Sequence, residues 1–290
     1  MSQKQSLQPV GVVGLGLMGT AFTERLLEAG YAVKVYNRTR SKAEPLLALG
    51  AKWSDNPMVE CERVIFSVFT TQDVVEVLEG MKSALRPGQI LLDTSTSQPG
   101  QAASLGQRLQ ADGVDLLEAP FSGSSQQTRQ GKATAIVAGK RSVFEACDDL
   151  LPCLAAQTFY VGSWGNAAKT KLVSNLVLGL NRAAFAEGLV FADAIGLDTA
   201  QVFEVLINSI AYSRTMDTKG KKMMTGDFAP QAKLSQHLKD VRLILDEAQR
   251  EGQRLPMSER HCELLEQAEE AGLGQLDNSA VLQAIQSWTT

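Results

Sequence analysis

Val10-Gly11-Val12-Val13-Gly14-Leu15-Gly16-Leu17-Met18-Gly19 is a short apolar run that passes straight into the pattern Gly14-x-Gly16-x-x-Gly19. A helix-like stretch, Thr20 to Glu28, and a second apolar run, Tyr31 to Tyr36, come next. Strand, glycine turn, helix, strand is the order of a dinucleotide-binding unit, and that order gives the glycine pattern its weight. Gly14 then permits the tight turn, Gly16 lets the backbone approach a pyrophosphate, and Gly19 lets the helix pack close to the strand. The phosphates lie on the free N–H groups of the helix N-terminus, where the helix dipole favours negative charge.

The end of the second strand selects the nucleotide. An NAD site usually places a carboxylate there to bond the ribose hydroxyls. This chain has Asn37-Arg38-Thr39, with Arg40 beyond. No carboxylate repels a 2′-phosphate, and a guanidinium grips one in forked geometry, so the expected cofactor is NADP(H). A solvated basic turn is the competing reading.

The 290 residues suffice for two domains. The composition, 44% hydrophobic and 21% charged, is that of a soluble globular chain. A net charge of −4 without a basic run gives no reason to expect nucleic acid. The apolar stretch Leu172 to Leu197 contains Asn175, Asn181, Arg182, Glu187 and Asp193, which suits a buried helix and not a membrane span. Met1 to Pro9 is polar and lacks an apolar signal core, so a cytoplasmic location is expected. Cys61, Cys147, Cys153 and Cys262 form no C-x-x-C pair and read as free, mostly buried thiols. With only His237 and His261 as histidines, no metal site is expected.

The first half alternates short apolar runs with helical stretches. Val64 to Phe69, Ile90 to Leu92, Asp115 to Glu118, Thr134 to Ala138 and Thr158 to Val161 read as strands. Asp73 to Leu85, Pro99 to Ala111 and Ser142 to Leu154 read as helices. This is an α/β pattern with a sheet that is parallel at least in its first part. After Gly165 no strand is apparent. Residues 167–195 read as one long helix, followed by helical periods at Thr199 to Ile210, Lys233 to Glu251, Ser258 to Ala271 and Ser279 to Trp288, with Ser279 as an N-cap. The expected organisation is a Rossmann-type dinucleotide-binding domain over residues 1–163, then an all-helical domain over residues 164–290. A substrate is expected between them, opposite the carboxyl ends of the strands.

Reduction of a carbonyl by hydride asks little of a protein. It must protonate the developing alkoxide, hold the substrate and exclude water. Lys171 and Asn175 are four apart on one helix face. A lysine in a desolvated site gives up its proton more readily. Spacing alone favours a surface lysine beside a satisfied asparagine; Lys169, on another face, is the one expected in solvent. Asp93-Thr94-Ser95-Thr96 and Phe121-Ser122-Gly123-Ser124 each follow a strand and offer hydroxyls and backbone N–H groups suited to a small carboxylate. Ser and Gly are also turn formers, so each loop alone supports either reading. Met216, Met223, Met224 and Phe228 read equally as pocket or as core.

Together these segments resemble the β-hydroxyacid dehydrogenase family over essentially the whole chain. The resemblance is carried by Gly14-Leu-Gly16-Leu17-Met18-Gly19, Asn37-Arg38-Thr39, Asp93-x-Ser95-Thr96-x-x-Pro99 and Ala119-Pro120-x-Ser122-Gly123-Ser124. Gly165-x5-Lys171-x3-Asn175, and Phe228 with His237-x-Lys239-Asp240, complete it. The resemblance implies that Lys171 is the general acid in reduction and the base in oxidation. It implies that Asn175, Ser122, Gly123, Ser124 and Ser95 bind substrate, and that Thr96 and Lys239 flank the nicotinamide. Val68, Phe69 and Thr70 would cover the cofactor. It also implies a homodimer or homotetramer joined through the helical domain.

The departures narrow the choice. Gly123-Ser124, where the family often has Gly-Gly, is similar to the glyoxylate and succinic semialdehyde reductase branch. Ala167 stands where a second glycine is common. Ser174 stands where 6-phosphogluconate dehydrogenases carry His, which disfavours decarboxylation of a sugar phosphate. Imine reductases usually replace the lysine, so Lys171 favours a carbonyl. The expected activity is NADPH-dependent reduction of a small aldehyde acid. The alternatives are oxidation of a 3-hydroxy acid, imine reduction and a non-catalytic NADPH sensor.

Overall fold

The computed structural model describes residues 7–287. Trp288, in the last expected helix, and Met1 to Ser6 lie outside the described residues. Nine strands form the sheet: β1 (Val10–Val13), β2 (Val33–Tyr36), β3 (Lys52–Trp53), β4 (Arg63–Phe66), β5 (Ile90–Asp93), β6 (Asp115–Glu118), β7 (Phe121–Ser122), β8 (Thr134–Gly139) and β9 (Gln157–Tyr160). Their order is β3-β2-β1-β4-β5-β6-β8-β7, with β9 paired to β8. Pairing is parallel from β3 to β6 and turns antiparallel at β6–β8. The chain thus starts in the middle and winds outward both ways. Its switch point falls between β1 and β4, where such sheets bind ligands beyond the carboxyl ends of their strands.

The central strands are apolar on both faces because both are covered. Val64, Phe66, Leu91 and Leu116 pack with Met58, Leu78, Leu105 and Leu109 on one side. Ile65, Leu92 and Leu117 pack with Phe22, Leu26 and Leu150 on the other. Neighbouring residues along a strand point to opposite faces, so these short runs feed two cores at once. Burying one such Leu or Phe stabilises the fold by about 1.5–3 kcal/mol.

Helices follow the strands. Leu17–Glu28 begins three residues earlier than expected, inside the glycine turn. Pro99–Ala111 matches its expected span, with Pro99 at the position where a missing N–H costs least. The expected helix Ser142 to Leu154 is two short ones, Arg141–Glu145 and Leu151–Leu154. A continuous helix would drive the Pro152 ring into the carbonyl one turn back. Tyr31 also pins the break, its hydroxyl donating to Asp149 at 2.9 Å, as does Arg63 at 2.9 Å.

The described chain divides into two compact units between Lys171 and Leu172, inside the long helix Asn166–Ala194. The second unit is helical: Thr199–Ile207, Arg214–Thr225, Leu234–Arg250, Pro256–Glu270 and Val281–Ser287. Its core gathers Phe185 and Leu189, Met216 and Met223, Phe228, Leu234, Leu238 and Val241, and Leu265. Met216, Met223 and Phe228 are therefore core residues, with Met224 packed at the edge. Ser279 is not an N-cap. It sits in a short 3-10 turn, Asn278–Ala280, capped by Asp277, which accepts from the Ser279 N–H and hydroxyl. Cys61, Cys147 and Cys262 are buried free thiols and Cys153 is half-buried. Among the described residues no helix is long and apolar enough to cross a membrane.

Candidate functional site

Each glycine of the first turn has its own reason. A Cβ on Gly14, at φ 94°, would lie 2.3 Å from the Ser67 carbonyl oxygen. One on Gly19 would lie 1.9 Å from the Gly14 carbonyl oxygen. The chain itself therefore requires both. A Cβ on Gly16 would meet nothing within 4 Å, and the residue is exposed. Gly16 leaves an open backbone surface at the start of the helix Leu17–Glu28, the arrangement that suits an approaching pyrophosphate.

Asn37 joins this turn to the end of β2. Its Oδ1 accepts from the Leu15 N–H at 2.9 Å and its Nδ2 donates to the Thr39 carbonyl at 2.9 Å. Arg38 and Thr39 are exposed beside it. Arg40 lies over the Trp53 ring, 4.8 Å from its centroid, so the two arginines face different surroundings. Leu17 is exposed, while Met18 is packed against the core and accepts from the Thr128 hydroxyl. In the loop after β4, Val68 is half-buried and Phe69 is 52% exposed. Thr70 caps the helix Thr71–Met81 in a reciprocal box with Asp73.

The loop after β5 is built on Asp93. Its carboxylate accepts from the Thr71 hydroxyl at 2.7 Å and from the Ser95 N–H at 2.8 Å. Thr96 is half-buried. The Ser95 hydroxyl is buried without a hydrogen-bond partner among the described residues. It borders a small cavity of about 10 Å³, lined also by Thr71, Asp93, Ser97 and Glu118. Ser122 lies on β7, opposite Thr134 of β8, and is half-buried. Gly123 follows at φ 145°. Ser124 caps the helix Ser125–Arg129, its hydroxyl accepting from the Gln127 N–H while its own N–H donates to Gln127 Oε1. That box fixes the Ser122–Ser124 segment in place.

On the long helix, Lys171 and Asn175 are 6% and 5% exposed, while Lys169 faces solvent. Asn175 Nδ2 donates to Asp240 Oδ2 at 2.8 Å, and Asp240 Oδ1 pairs with Lys239 Nζ at 3.1 Å. Asp240 thus joins two of the site residues expected from sequence. Asp240 itself stood in the motif His237-x-Lys239-Asp240, but sequence assigned it no role. Glu118, at the end of β6, is a second carboxylate that sequence reasoning left out. Burial pushes its carboxyl up to about 7, against the pull of the N–H groups of Gly165 and Ala168, and neighbouring Asp93 pushes the same way as burial. Among the described residues no group of three or more His, Cys, Asp or Glu could hold a metal ion.

Residues 9–162 match the family model for the NAD binding domain of 6-phosphogluconate dehydrogenase. Residues 165–285 match that for NAD-binding of NADP-dependent 3-hydroxyisobutyrate dehydrogenase. Glyoxylate/succinic semialdehyde reductase 2 of Arabidopsis thaliana, a chloroplastic protein, is 30% identical over 284 residues, covering 96% of this chain and 79% of its own length. The cytokine-like nuclear factor N-PAC of Drosophila melanogaster is 31% identical over 95% of this chain, which spans only 47% of that longer protein. Among solved structures, Psf3 in complex with NADP+ and 2-OPP superposes with a TM-score of 0.86 at 27% identity, covering 95% of this chain and 99% of the other.

Proposed function

The chain belongs to the β-hydroxyacid dehydrogenase family, NAD(P)-dependent oxidoreductases acting on hydroxyl and aldehyde groups, and from that premise we propose that it reduces a small aldehyde acid to the hydroxy acid with NADPH. Glyoxylate and succinic semialdehyde are the first substrates of choice, in keeping with the activity named for the Arabidopsis relative. The observation that carries the reading is the buried Lys171, one turn ahead of a buried Asn175 that Asp240 holds in place. An asparagine fixed in this way presents a set amide face, and a buried lysine next to it on the helix is no longer the surface residue that spacing alone favoured.

The dinucleotide, when bound, supplies the hydride. Lys171 gives its proton to the developing alkoxide, and Asn175 holds the substrate oxygen. Ser122 and the Gly123 N–H take the carboxylate, the capped Ser124 keeps their loop rigid, and Ser95 completes the wall. Fixing the aldehyde in this way lowers the barrier by several kcal/mol. Gly14, Gly16, Leu17, Met18 and Gly19 cradle the pyrophosphate. Asn37, Arg38 and Thr39 receive the ribose phosphate, Val68, Phe69 and Thr70 cover the dinucleotide, and Thr96 and Lys239 flank the nicotinamide. The free cysteines favour a reducing compartment such as the cytoplasm. The exposed apolar residues of the long helix favour a homodimer or homotetramer.

The test follows NADPH absorbance with glyoxylate, succinic semialdehyde, tartronate semialdehyde, methylmalonate semialdehyde and a cyclic imine. One aldehyde acid is expected to be consumed quickly. Lys171→Ala is expected to keep its NADPH affinity and lose about 10²–10⁴-fold in kcat, the usual worth of general acid help. Undiminished turnover in that variant would remove Lys171 from the chemistry. Turnover only in the reverse assay, hydroxy acid with NADP+, would assign the chain to oxidation.

A further inference from the structure

Glu118 ends β6 and stands in register with Asp93 at the end of β5. Both residues are 3% exposed. A buried carboxylate needs donors, and Asp93 finds them in Thr71 and Ser95. Glu118 spends its two oxygens elsewhere. Oε1 accepts from the Gly165 N–H and Oε2 from the Ala168 N–H at 3.2 Å. Those amides bracket the first turn of the helix Asn166–Ala194, where backbone N–H groups have no acceptor within the helix. Lys171 lies three residues beyond Ala168, less than one further turn. A shift of the first turn therefore carries the ammonium with it.

We propose that Glu118 is a positioning residue, whose carboxylate clamps the first turn of the long helix and so sets where the Lys171 ammonium stands. The proposal rests on the reading of Lys171 as the proton donor. A carboxylate accepts both N–H groups at once. A carboxylic acid has a proton on one oxygen, which faces one of those donors, so one of the two bonds is lost. The clamp is therefore sensitive to charge. With the carboxyl held at about 7, the change falls in the neutral range. The titratable group facing it is Asp93 from β5; the helix Pro99–Ala111 contributes Ala102 to the same cavity, the helix Thr71–Met81 Thr71, the long helix Ala168, and the loops Ser95, Ser97 and Pro120, none of them charged.

Two measurements on the full chain test this. The first is amide exchange of the segment 163–171 between about pH 6 and about pH 8, corrected for the intrinsic pH dependence of exchange, a window set by the value of about 7. Wild-type protection is expected to fall several-fold on the acid side. Glu118→Gln, which keeps the shape and one acceptor, is expected to show weaker protection without a step. The second is kcat with the aldehyde acid across the same window. The wild type is expected to lose activity on the acid side with a midpoint near 7, opposite in sign to the loss of a proton from a lysine acid. Glu118→Gln is expected to lower kcat about tenfold, a cost typical of a modest misplacement, to leave KM for NADPH within about twofold, and to lack the acid limb. A wild type without a protection step overturns the proposal, and so does a Glu118→Gln that keeps both the kcat and the acid limb. Lys171→Ala, run alongside, separates the two readings. Full turnover there overturns the acid reading and this proposal with it, whereas an inactive Lys171→Ala beside an unaltered Glu118→Gln overturns this proposal alone.

Discussion

Arg38 stands on the exposed turn after β2, next to the Asn37 that ties the glycine turn to that strand. Arg40 is stacked on Trp53 and is the worse placed of the two to turn toward a ligand. A guanidinium on a 2′-phosphate makes charge-assisted bonds that NADH cannot make. Arg38→Ala is therefore expected to raise the Kd for NADPH by about tenfold or more, the worth of about 1.5–3 kcal/mol for a hydrogen bond to a charged group, and to leave the Kd for NADH nearly unchanged. Fluorescence titration with both cofactors checks it; equal losses for the two would place the phosphate elsewhere. Residues of this kind were legible because their neighbours in sequence are their neighbours in space. The roles of Asp240 and Glu118 were not. Asp240 meets Asn175 from 65 positions away, and Glu118 meets Gly165 and Ala168 from 47 and 50 away. Only the fold brings such carboxylates to the helix they hold.

The helix Arg214–Thr225 shows the same limit one level up. Sequence periodicity missed it because its inward face is not apolar: Lys219 and Lys222 are buried there with Met216 and Met223. Lys222 donates to the carbonyls of Asp227 and Ala229 at 3.0 and 2.8 Å. Lys219 donates to both oxygens of Asp277 at 2.8 and 3.0 Å. Asp277 also accepts from the N–H groups of Gln231 and Ala232. Burial pushes the Asp277 carboxyl up, but Lys219 and these donors outweigh it and hold it below 3.8. The pattern is helical once the lysines are counted with the core. By contrast, β1, β4, β5 and β6 were legible because their central residues are covered on both faces and so are apolar in succession. Asp277→Ala, which strands a buried ammonium, is expected to destabilise the protein by about 3–5 kcal/mol at neutral pH. Because the folded carboxyl is more acidic than the unfolded one, its contribution is whole above the unfolded value and is lost as the pH falls through the folded one. The gap between wild type and variant in urea unfolding should accordingly narrow on going from neutral pH toward about pH 3. A gap that stays constant with pH would mean that the loss is one of packing and not of charge.

At the scale of the whole molecule, the long helix is apolar on more than the face its own unit uses. Phe185, Ala186 and Leu189 enter the core of the second unit. Val173 and Val177, Phe191 and Ile195 stand 51–64% exposed on the same helix, each pair four residues apart. A helix that is hydrophobic all round belongs in an interior. Scattered apolar residues on a surface need no explanation, but two pairs at helical spacing on one long element are apolar surface of the kind that marks an interface. A second copy of the same chain offers the same pairs, and a two-fold contact would lay them against each other. Sedimentation at micromolar concentration is expected to give a dimer or a tetramer. Val177→Asp combined with Phe191→Asp is expected to shift that population toward monomer, because each carboxylate would have to be buried unpaired in the contact. Both positions are exposed in the single chain, so the fold itself should tolerate the change, with ellipticity and NADPH affinity retained. A wild type that sediments as a monomer would leave the patch without a partner of its own kind. A double variant that stays dimeric would place the contact on another face.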